Sequence, residues 1–444
     1  MRVAIVGSGA AGLSASWLLG CAGFDVTLYE AEARPGGHCR TIEVDCGGRA
    51  TPVDCGFIVF NDRNYPNLVA LFETLDVATE ASDMSFSVHT PCGALEYAGA
   101  NLRTIFAQKR NLARPAFLGM LRDILRFNRD TPRDLAGGRL AGLSLGEYVA
   151  AGGYGDWLSR WYLLPMGAAI WSSSLERMMA FPAETFARFF VNHGLLSVNG
   201  HPQWRTVTGG SREYVRRILA ELPGRLRAGA PVVAVRRDEA AAAVIDASGE
   251  ARTFDHVVIA AHADQALAML ERPSADETAV LGAIGYQANR VVAHRDAGLM
   301  PRRRAAWSSW NYRAPAREDA AAKVTLTYWM NRLQNLDPAH PLFVAVNPQE
   351  EPRAETVVAE MSFDHPLFDR SALAAQRRLA ELQGVRRTWF CGSYFGYGFH
   401  EDAIASGLEA AEALGARRPW AERGRRLLSP RPAPLAREAG SEAA

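Results

Sequence analysis

At 444 residues with 48% hydrophobic content, the chain can bury a substantial core and is long enough for two domains. Its formal charge of +1 argues against nucleic acid as the main partner. No apolar run reaches the roughly 20 residues that a bilayer span requires.

The first element is a short apolar strand, Val3 to Val6, running into Gly7-Ser-Gly9-Ala-Ala11-Gly12. Gly7 permits a tight turn, Gly9 leaves bare backbone for a pyrophosphate, and Gly12 lets the next helix pack close to the strand. The helix then aims its free N–H groups at the phosphates. A second strand, Val26 to Tyr29, ends on Glu30, where a carboxylate can accept the hydroxyls of an adenosine ribose. A secretory leader is not expected, because the first strand begins at residue 2 and runs straight into the phosphate turn. A further glycine pair follows in Ala31-Glu-Ala-Arg34-Pro-Gly36-Gly37-His38, and then Asp54-Cys-Gly56-Phe57.

Past residue 80 the pattern changes. Phe86 to His89 and Leu95 to Tyr97 read as a hairpin around Pro91-Cys-Gly93. Leu102 to Phe127 reads as helical, with Leu118, Leu121 and Leu125 on one side and Arg122, Arg126 and Arg129 on another. The basic face at Arg103, Lys109, Arg110, Arg114, Arg122, Arg126 and Arg129 reads as solvated, with contact to a membrane or acyl headgroup as the alternative. Tyr148 to Met179, rich in Trp, Tyr and Met, is expected to be helical and largely buried. Gly209-Gly210 precedes a helix and the strand Pro231 to Val235, and Val257 to Ala260 is taken as the next strand of that sheet. Alternating stretches such as Val324 to Trp329 predict an antiparallel sheet over 266–374. Near the C-terminus, Thr388-Trp389-Phe390-Cys391-Gly392-Ser393 is a strand ending in glycine. It is followed by Gly398-Phe399-His400-Glu401-Asp402-Ala403 and a helix with small residues, including Ser406, along one face. Residues 419–444, rich in Pro, Arg, Ala and Glu, read as a mobile tail.

Some chemistries find no foothold. There is no H-E-x-x-H or clustered Cys/His spacing, so no metal site is expected. There is no G-x-S-x-G elbow for serine hydrolysis. The six cysteines show no C-x-x-C rhythm and read as reduced, buried small residues of a cytoplasmic protein.

The two ends together resemble the flavin-dependent amine oxidase / phytoene desaturase superfamily. The resemblance implies an α/β plus antiparallel-β fold: a Rossmann-like, GR2-type FAD domain with a substrate domain of mixed antiparallel sheet and helices. It divides the chain into FAD-binding segments 1–80, 201–265 and 381–417, substrate segments 81–200 and 266–380, and a tail 418–444. It implies non-covalent FAD held by Gly7, Gly9, Ala11, Gly12, Glu30, Ala31, Arg34, Gly36, Gly37, His38, Gly56 and Phe57. Val233 would meet adenine, and Gly392, Ser393, Glu401, Asp402, Ala403 and Ser406 would serve the flavin half. His38 stands where relatives carry Arg, and Ser393 where they carry an acid. Trp389 and Phe399 take the places of the tyrosine pair that flanks the flavin in amine oxidases, and His400 is a candidate for proton chemistry. The flavin-facing lysine of amine oxidases falls on Asn289 or Arg290.

With lysine and tyrosines lost, the expectation is dehydrogenation or desaturation of a hydrophobic, fatty-acyl or lipid-like substrate, with hydride passing to flavin N5. Two alternatives stand beside it: an amine oxidase releasing peroxide, and a non-catalytic FAD-binding partner of a lipid methyltransferase. Runs such as Leu164 to Ser172, Tyr328 to Gln334 and Tyr397 to Asp402 resemble a bacterial group associated with cyclopropane-fatty-acyl synthase-like methyltransferases. That implies a methyltransferase partner and peripheral contact at the inner face of the membrane.

Overall fold

The computed structural model describes residues 1–197, 200–315 and 323–423. A five-stranded parallel sheet runs in the order Leu226–Arg227, Asp25–Tyr29, Arg2–Val6, His256–Ile259 and Thr388–Phe390. Its strands come from the first, third and fifth of the segments above. Being buried on both faces, they read as apolar runs. Val3, Ile5, Val26 and Leu28 pack beneath the helices Ala10–Cys21 and His400–Ala413, while Ala4, Val6, Val257 and Ile259 face the opposite layer. The two helices cross so closely that a Cβ on Gly407 would lie 2.1 Å from the Ala11 carbonyl oxygen. Ser14 Oγ donates to the Ile404 carbonyl across the same crossing at 3.2 Å.

A second sheet of seven strands carries the other half. Its order is Val357–Pro366, Tyr286–His294, Phe343–Val346, Thr325–Trp329, Trp310–Arg313, Phe86–His89 and Glu96–Ala98. All its pairings are antiparallel except that of Trp310–Arg313 with Phe86–His89. Helices between residues 102 and 192 cover one side and share its largest apolar core. Buried Asp54 ties the halves together. It accepts from the Thr41 hydroxyl at 2.6 Å, the Ser211 amide at 3.0 Å and Gln334 Nε2 at 3.2 Å.

Four expectations are corrected. The strand Val232–Arg237 joins a separate three-stranded antiparallel sheet, because its pairing partners are the hairpin strands Ala242–Asp246 and Ala251–Phe254. The helix Pro115–Ala136 buries Phe117, Met120, Asp123 and Phe127, so Leu118 and Leu125 lie on the solvent face with Arg122 and Arg129. Four cysteines are buried, but Cys21 and Cys92 sit at element ends and are exposed. Pro419–Arg423 forms a helical turn in place of a mobile segment, because Trp420 is buried and stacks on Trp17 at 5.9 Å. The remainder of that stretch, 424–444, lies outside the described residues.

Candidate active site

A cavity of about 880 Å³ opens beyond the carboxyl ends of the parallel strands and runs on to the seven-stranded sheet. That is the upper part of the usual range for cofactor and ligand sites.

The first end of the cavity is backbone. Gly7 has φ +101°, and a Cβ there would lie 2.8 Å from the Ala260 carbonyl oxygen. A Cβ on Gly12 would lie 1.8 Å from the Gly7 carbonyl oxygen, so the turn and the helix touch with no room for a side chain. Gly9 is different: a Cβ there meets nothing within 4 Å. It caps the helix Ala10–Cys21 and faces open cavity, which is where a pyrophosphate approaches. Glu30 accepts from the Ser8 amide at 2.9 Å, from the Ser8 hydroxyl, and from the Glu32 amide at 2.9 Å. Ser8 Oγ in turn accepts from the Gly36 amide at 3.1 Å, drawing the second glycine pair onto the first turn. Val233 is 54% exposed at the cavity wall, an apolar surface open to a base.

Of the sequence-predicted residues, Gly7, Gly9, Ala11, Glu30, Ala31, Gly37, His38, Gly56, Phe57 and Val233 line the cavity. So do Gly392, Ser393, Phe399, His400 and Ala403. The others lie behind that lining, and of these Asp402 and Ser406 bond backbone that belongs to it. Gly12 and Gly36 shape the two turns. The Arg34 guanidinium donates to the Thr41 carbonyl. Glu401 accepts from the Asn67 and Leu68 amides, both at 3.0 Å, at the start of the helix Pro66–Thr74. Asp402 accepts from the Tyr397 and Phe399 amides at 3.0 and 2.9 Å. Ser406 Oγ accepts from the Gly392 amide at 3.0 Å.

Trp389 is a correction. It sits inside the strand Thr388–Phe390, on the face that packs toward the helices, and its Nε1 approaches His256 Nδ1 at 3.3 Å. Only Gly392 and the residues after it pass the end of the sheet and reach the cavity.

His400 lines the wall with its chemistry already engaged. Its Nε2 pairs with the Tyr214 hydroxyl at 2.6 Å and lies 3.5 Å from Cys39 Sγ, and its ring stacks on Phe57 at 3.9 Å. Burial pushes it down to about 3, so it is neutral near neutrality.

The seam between the halves joins His38 and Asn289 to a residue the sequence did not single out, His365. His38 stacks on Phe363 at 4.8 Å and His365 at 5.4 Å, and its buried Nε2 has no protein partner. Burial, and then the neighbouring His365, pushes His38 well below its ordinary value. On the central strand Tyr286–His294, alternation turns Asn289 inward, fully buried, and Arg290 outward onto Glu351 and Glu360. Asn289 Oδ1 accepts from Gln287 at 3.2 Å and Asn347 at 2.8 Å, so its Nδ2 must donate. The recipient is His365 Nδ1 at 3.1 Å. His365 is therefore fixed with its proton on Nε2, as a neutral donor on the cavity wall.

His193, which also lines the cavity, has the opposite tautomer. Its Nδ1 donates to the Phe189 carbonyl at 3.0 Å, leaving the Nε2 lone pair as acceptor. Burial pushes both His193 and His365 down to about 4.

The far end is apolar. Phe399 stacks on Phe189 at 5.1 Å, Tyr397 meets Phe189 edge-on at 5.7 Å, and Trp310 meets Tyr328 edge-on at 5.1 Å. Among the described residues no Arg or Lys lines the cavity, and the carboxylates that do are Glu30 and Asp364. A spacing signal for Asn289 and His365 did not exist, since they are 76 residues apart and meet only through strand register.

The glycine turns, the open face at Gly9, the ribose carboxylate and the unpartnered His38 nitrogen fit a bound dinucleotide flavin. They define an FAD-dependent oxidoreductase. Residues 10–295 match the sequence model of the flavin containing amine oxidoreductases, and the chain belongs to that family. FAD bound there would supply a two-electron acceptor.

Among curated proteins, hydroxyneurosporene desaturase of Rubrivivax gelatinosus is 47% identical over 62 residues, 14% of this chain and 11% of that protein. An Escherichia coli K12 dihydropyrimidine dehydrogenase subunit, PreT, is 59% identical over 39 residues, 9% of this chain and 10% of its own. The matched stretches thus span about a tenth of these relatives. Two solved structures share the fold over nearly the whole chain. A putrescine oxidase with bound putrescine has a TM-score of 0.67 at 17% identity, covering 94% of this chain and 100% of its own. A CLA-producing fatty acid isomerase from P. acnes has a TM-score of 0.66 at 16% identity, covering 94% and 99%.

Proposed function

We propose that this protein dehydrogenates a hydrophobic, lipid-like substrate, with esterified acyl chains favoured over free acids or amines. The observation that carries the proposal is the composition of the far end of the cavity. It is walled by aromatic and aliphatic side chains, with no cation among the described residues to receive a carboxylate. Burying an unpaired carboxylate there would be costly, whereas a hydrocarbon chain gains from leaving water.

Dehydrogenation breaks one C–H bond with its electron pair, and bound FAD would supply the two-electron acceptor for that hydride. The adjacent carbon loses a proton, and a double bond forms between the two carbons. His193 is suited to take that proton, because its Nε2 is unprotonated and faces no competing donor among the described residues. His365, held as a donor by Asn289, is suited to stabilise negative charge arriving beside it. The aromatic walls position the chain and exclude water. The desaturase match and the isomerase with the shared fold lend support to a lipid-like substrate, while the oxidase with the shared fold favours an amine.

The test is anaerobic reduction. Phospholipids with saturated, unsaturated or methyl-branched chains are mixed with the purified yellow protein. The expected result is loss of the visible flavin absorption, with an acyl species two hydrogens lighter by mass spectrometry. If only amines bleach the flavin and peroxide follows on re-aeration, the proposal fails.

A further inference from the structure

The surface between residues 97 and 125 has a composition found nowhere in the cavity. From Tyr97 to Arg122 the chain carries five cations (Arg103, Lys109, Arg110, Arg114 and Arg122) and no Asp or Glu, although its net charge is only +1. Lys109 is one of just two lysines in the sequence. Among the described residues, every leucine exposed as a large apolar side chain is here: Leu102 at 74%, Leu112 at 56%, Leu118 at 43% and Leu125 at 60%. On the helix Pro115–Ala136, the solvent stripe reads Leu118, Arg122, Leu125, Arg129, so leucine and arginine alternate along one face.

The charges are held outward and largely unneutralised. Arg110 and Arg114 donate to the carbonyl oxygens of Gly93 and Ala94, which fixes them while leaving their charge intact. Arg122 and Arg129 pair with Asp123 and Asp130. Arg114 also lies 5.7 Å over the ring of half-buried Trp157. Arg302, which donates to the Pro91 carbonyl at 3.2 Å, and Arg304, stacked 3.7 Å over Trp307, extend the basic area past the neighbouring hairpin.

We infer that this face docks on an anionic lipid surface. Cations alone would suit any polyanion. Four leucines presented among them suit a boundary with charged headgroups outside and acyl chains just beneath. A tryptophan at the same level, apolar ring inward, fits that boundary too. The docking would be peripheral, since no helix among the described residues is long and apolar enough to cross a membrane. The inner face of Pro115–Ala136 packs on the helix Ala183–Asn192, whose Phe189 lines the cavity. The docked face and the apolar end of the cavity are therefore separated by two packed helices.

Vesicle sedimentation tests this without turnover, so its outcome is separate from that of the substrate proposal. FAD-loaded protein is spun with phosphatidylcholine vesicles with and without phosphatidylglycerol. Binding is expected only with the anionic lipid, weakening as salt is raised. Replacing Leu112, Leu118 and Leu125 by Ser should lower the bound fraction roughly tenfold, as should Arg103→Ala with Lys109→Ala. Flavin content and turnover of detergent-dispersed substrate should stay at the parent level, because none of these side chains reaches the cavity. Three outcomes overturn the inference: no binding to anionic vesicles, equal binding by the leucine variant, or a smaller hydrodynamic size for that variant. The last would make the face a contact between protein copies.

Discussion

The two ends of one cavity are built by different means. The nucleotide end is backbone: Gly7 and Gly12 touch with no room for a side chain, Gly37 closes on the Gly9 backbone, and the nearby carboxylate of Glu30 is held by amides. The substrate end is side chain: Phe189, Trp310, Tyr328, His365 and Phe399 arrive from five separate elements. Backbone geometry tolerates almost no substitution, whereas a wall of rings can be rebuilt residue by residue. That difference lets one way of gripping FAD serve unlike substrates.

The largest effects should fall at the first end, and they should split according to what a Cβ would meet. Gly12→Ala places a methyl 1.8 Å from the Gly7 carbonyl and should cost more than about 3 kcal/mol, enough to prevent recovery of folded protein. Gly9→Ala meets only open space, at an ordinary φ of −64°. Its apoprotein should melt within a few degrees of the parent, yet bind FAD roughly a hundredfold more weakly, because the methyl stands where the pyrophosphate comes. Thermal melting and flavin stoichiometry read the two apart. A yellow Gly9→Ala protein would break the comparison.

At the second end the effect should be on rate. His193→Asn keeps a donor to the Phe189 carbonyl but removes the Nε2 lone pair, and should lower kcat about a hundredfold with flavin fully bound. Asn289→Leu strands the Asn347 amide, leaves Gln287 only the Ser172 carbonyl, and frees His365 to change tautomer, and should lower kcat about tenfold to a hundredfold. Stopped-flow reduction measures both. Parent rates in His193→Asn would remove it from the proton's path.

How far each end could be read from the chain follows from the same contrast. The nucleotide turn was legible because Gly7 to Glu30 is one continuous strand–turn–helix–strand, with each glycine's role set by local sterics. The closing helix was legible for the same reason. Trp389 was misplaced because the sequence does not say where the strand Thr388–Phe390 stops, and a shift of three residues moves a side chain from helix layer to cavity. Leu118 and Leu125 were put on the wrong face because two stripes compete on that helix. Phe117, Met120 and Phe127, larger together, won the core. The pairing of Asn289 with His365 was invisible because only antiparallel register brings them together, and that of Trp420 because its partner is Trp17, four hundred positions earlier.

A smaller effect separates the ends by pH. His193 and His365, pushed by burial from 6.5 to about 4, are neutral when folded but take up protons on unfolding below about 6.5. The unfolded chain then binds more protons, so their contribution falls as pH drops from about 6.5 to 4, by about 1.4 kcal/mol per unit for each. Glu401 and Asp402 behave oppositely. Burial raises both to about 7, so they stay protonated when folded and ionise on unfolding, and their contribution falls as pH rises from about 4 to 7. In the parent apoprotein these two pairs offset each other, but His38, His89, His294 and His400, also held neutral by burial, leave a net loss of stability as pH falls from about 6.5 toward 4. Glu401→Gln with Asp402→Asn should steepen that acid lability in urea titrations. A variant no steeper than the parent would show that the two carboxyls titrate normally.

The smallest effect tests Trp389 against Phe399. Trp389→Phe loses one hydrogen bond, to His256, and part of a ring in a half-buried site. It should cost about 1 kcal/mol and leave flavin spectrum and turnover unchanged. Phe399→Leu keeps apolar volume but loses the stack on Phe189 at 5.1 Å, worth about 1 kcal/mol. If that stack holds the substrate chain against the flavin, the loss should appear as a KM raised roughly fivefold, at a melting temperature close to the parent's. The two variants are matched in energy and differ in where it is felt. A kinetic change in Trp389→Phe, or none in Phe399→Leu, would mean that the strand end and the cavity mouth have been assigned to the wrong residues.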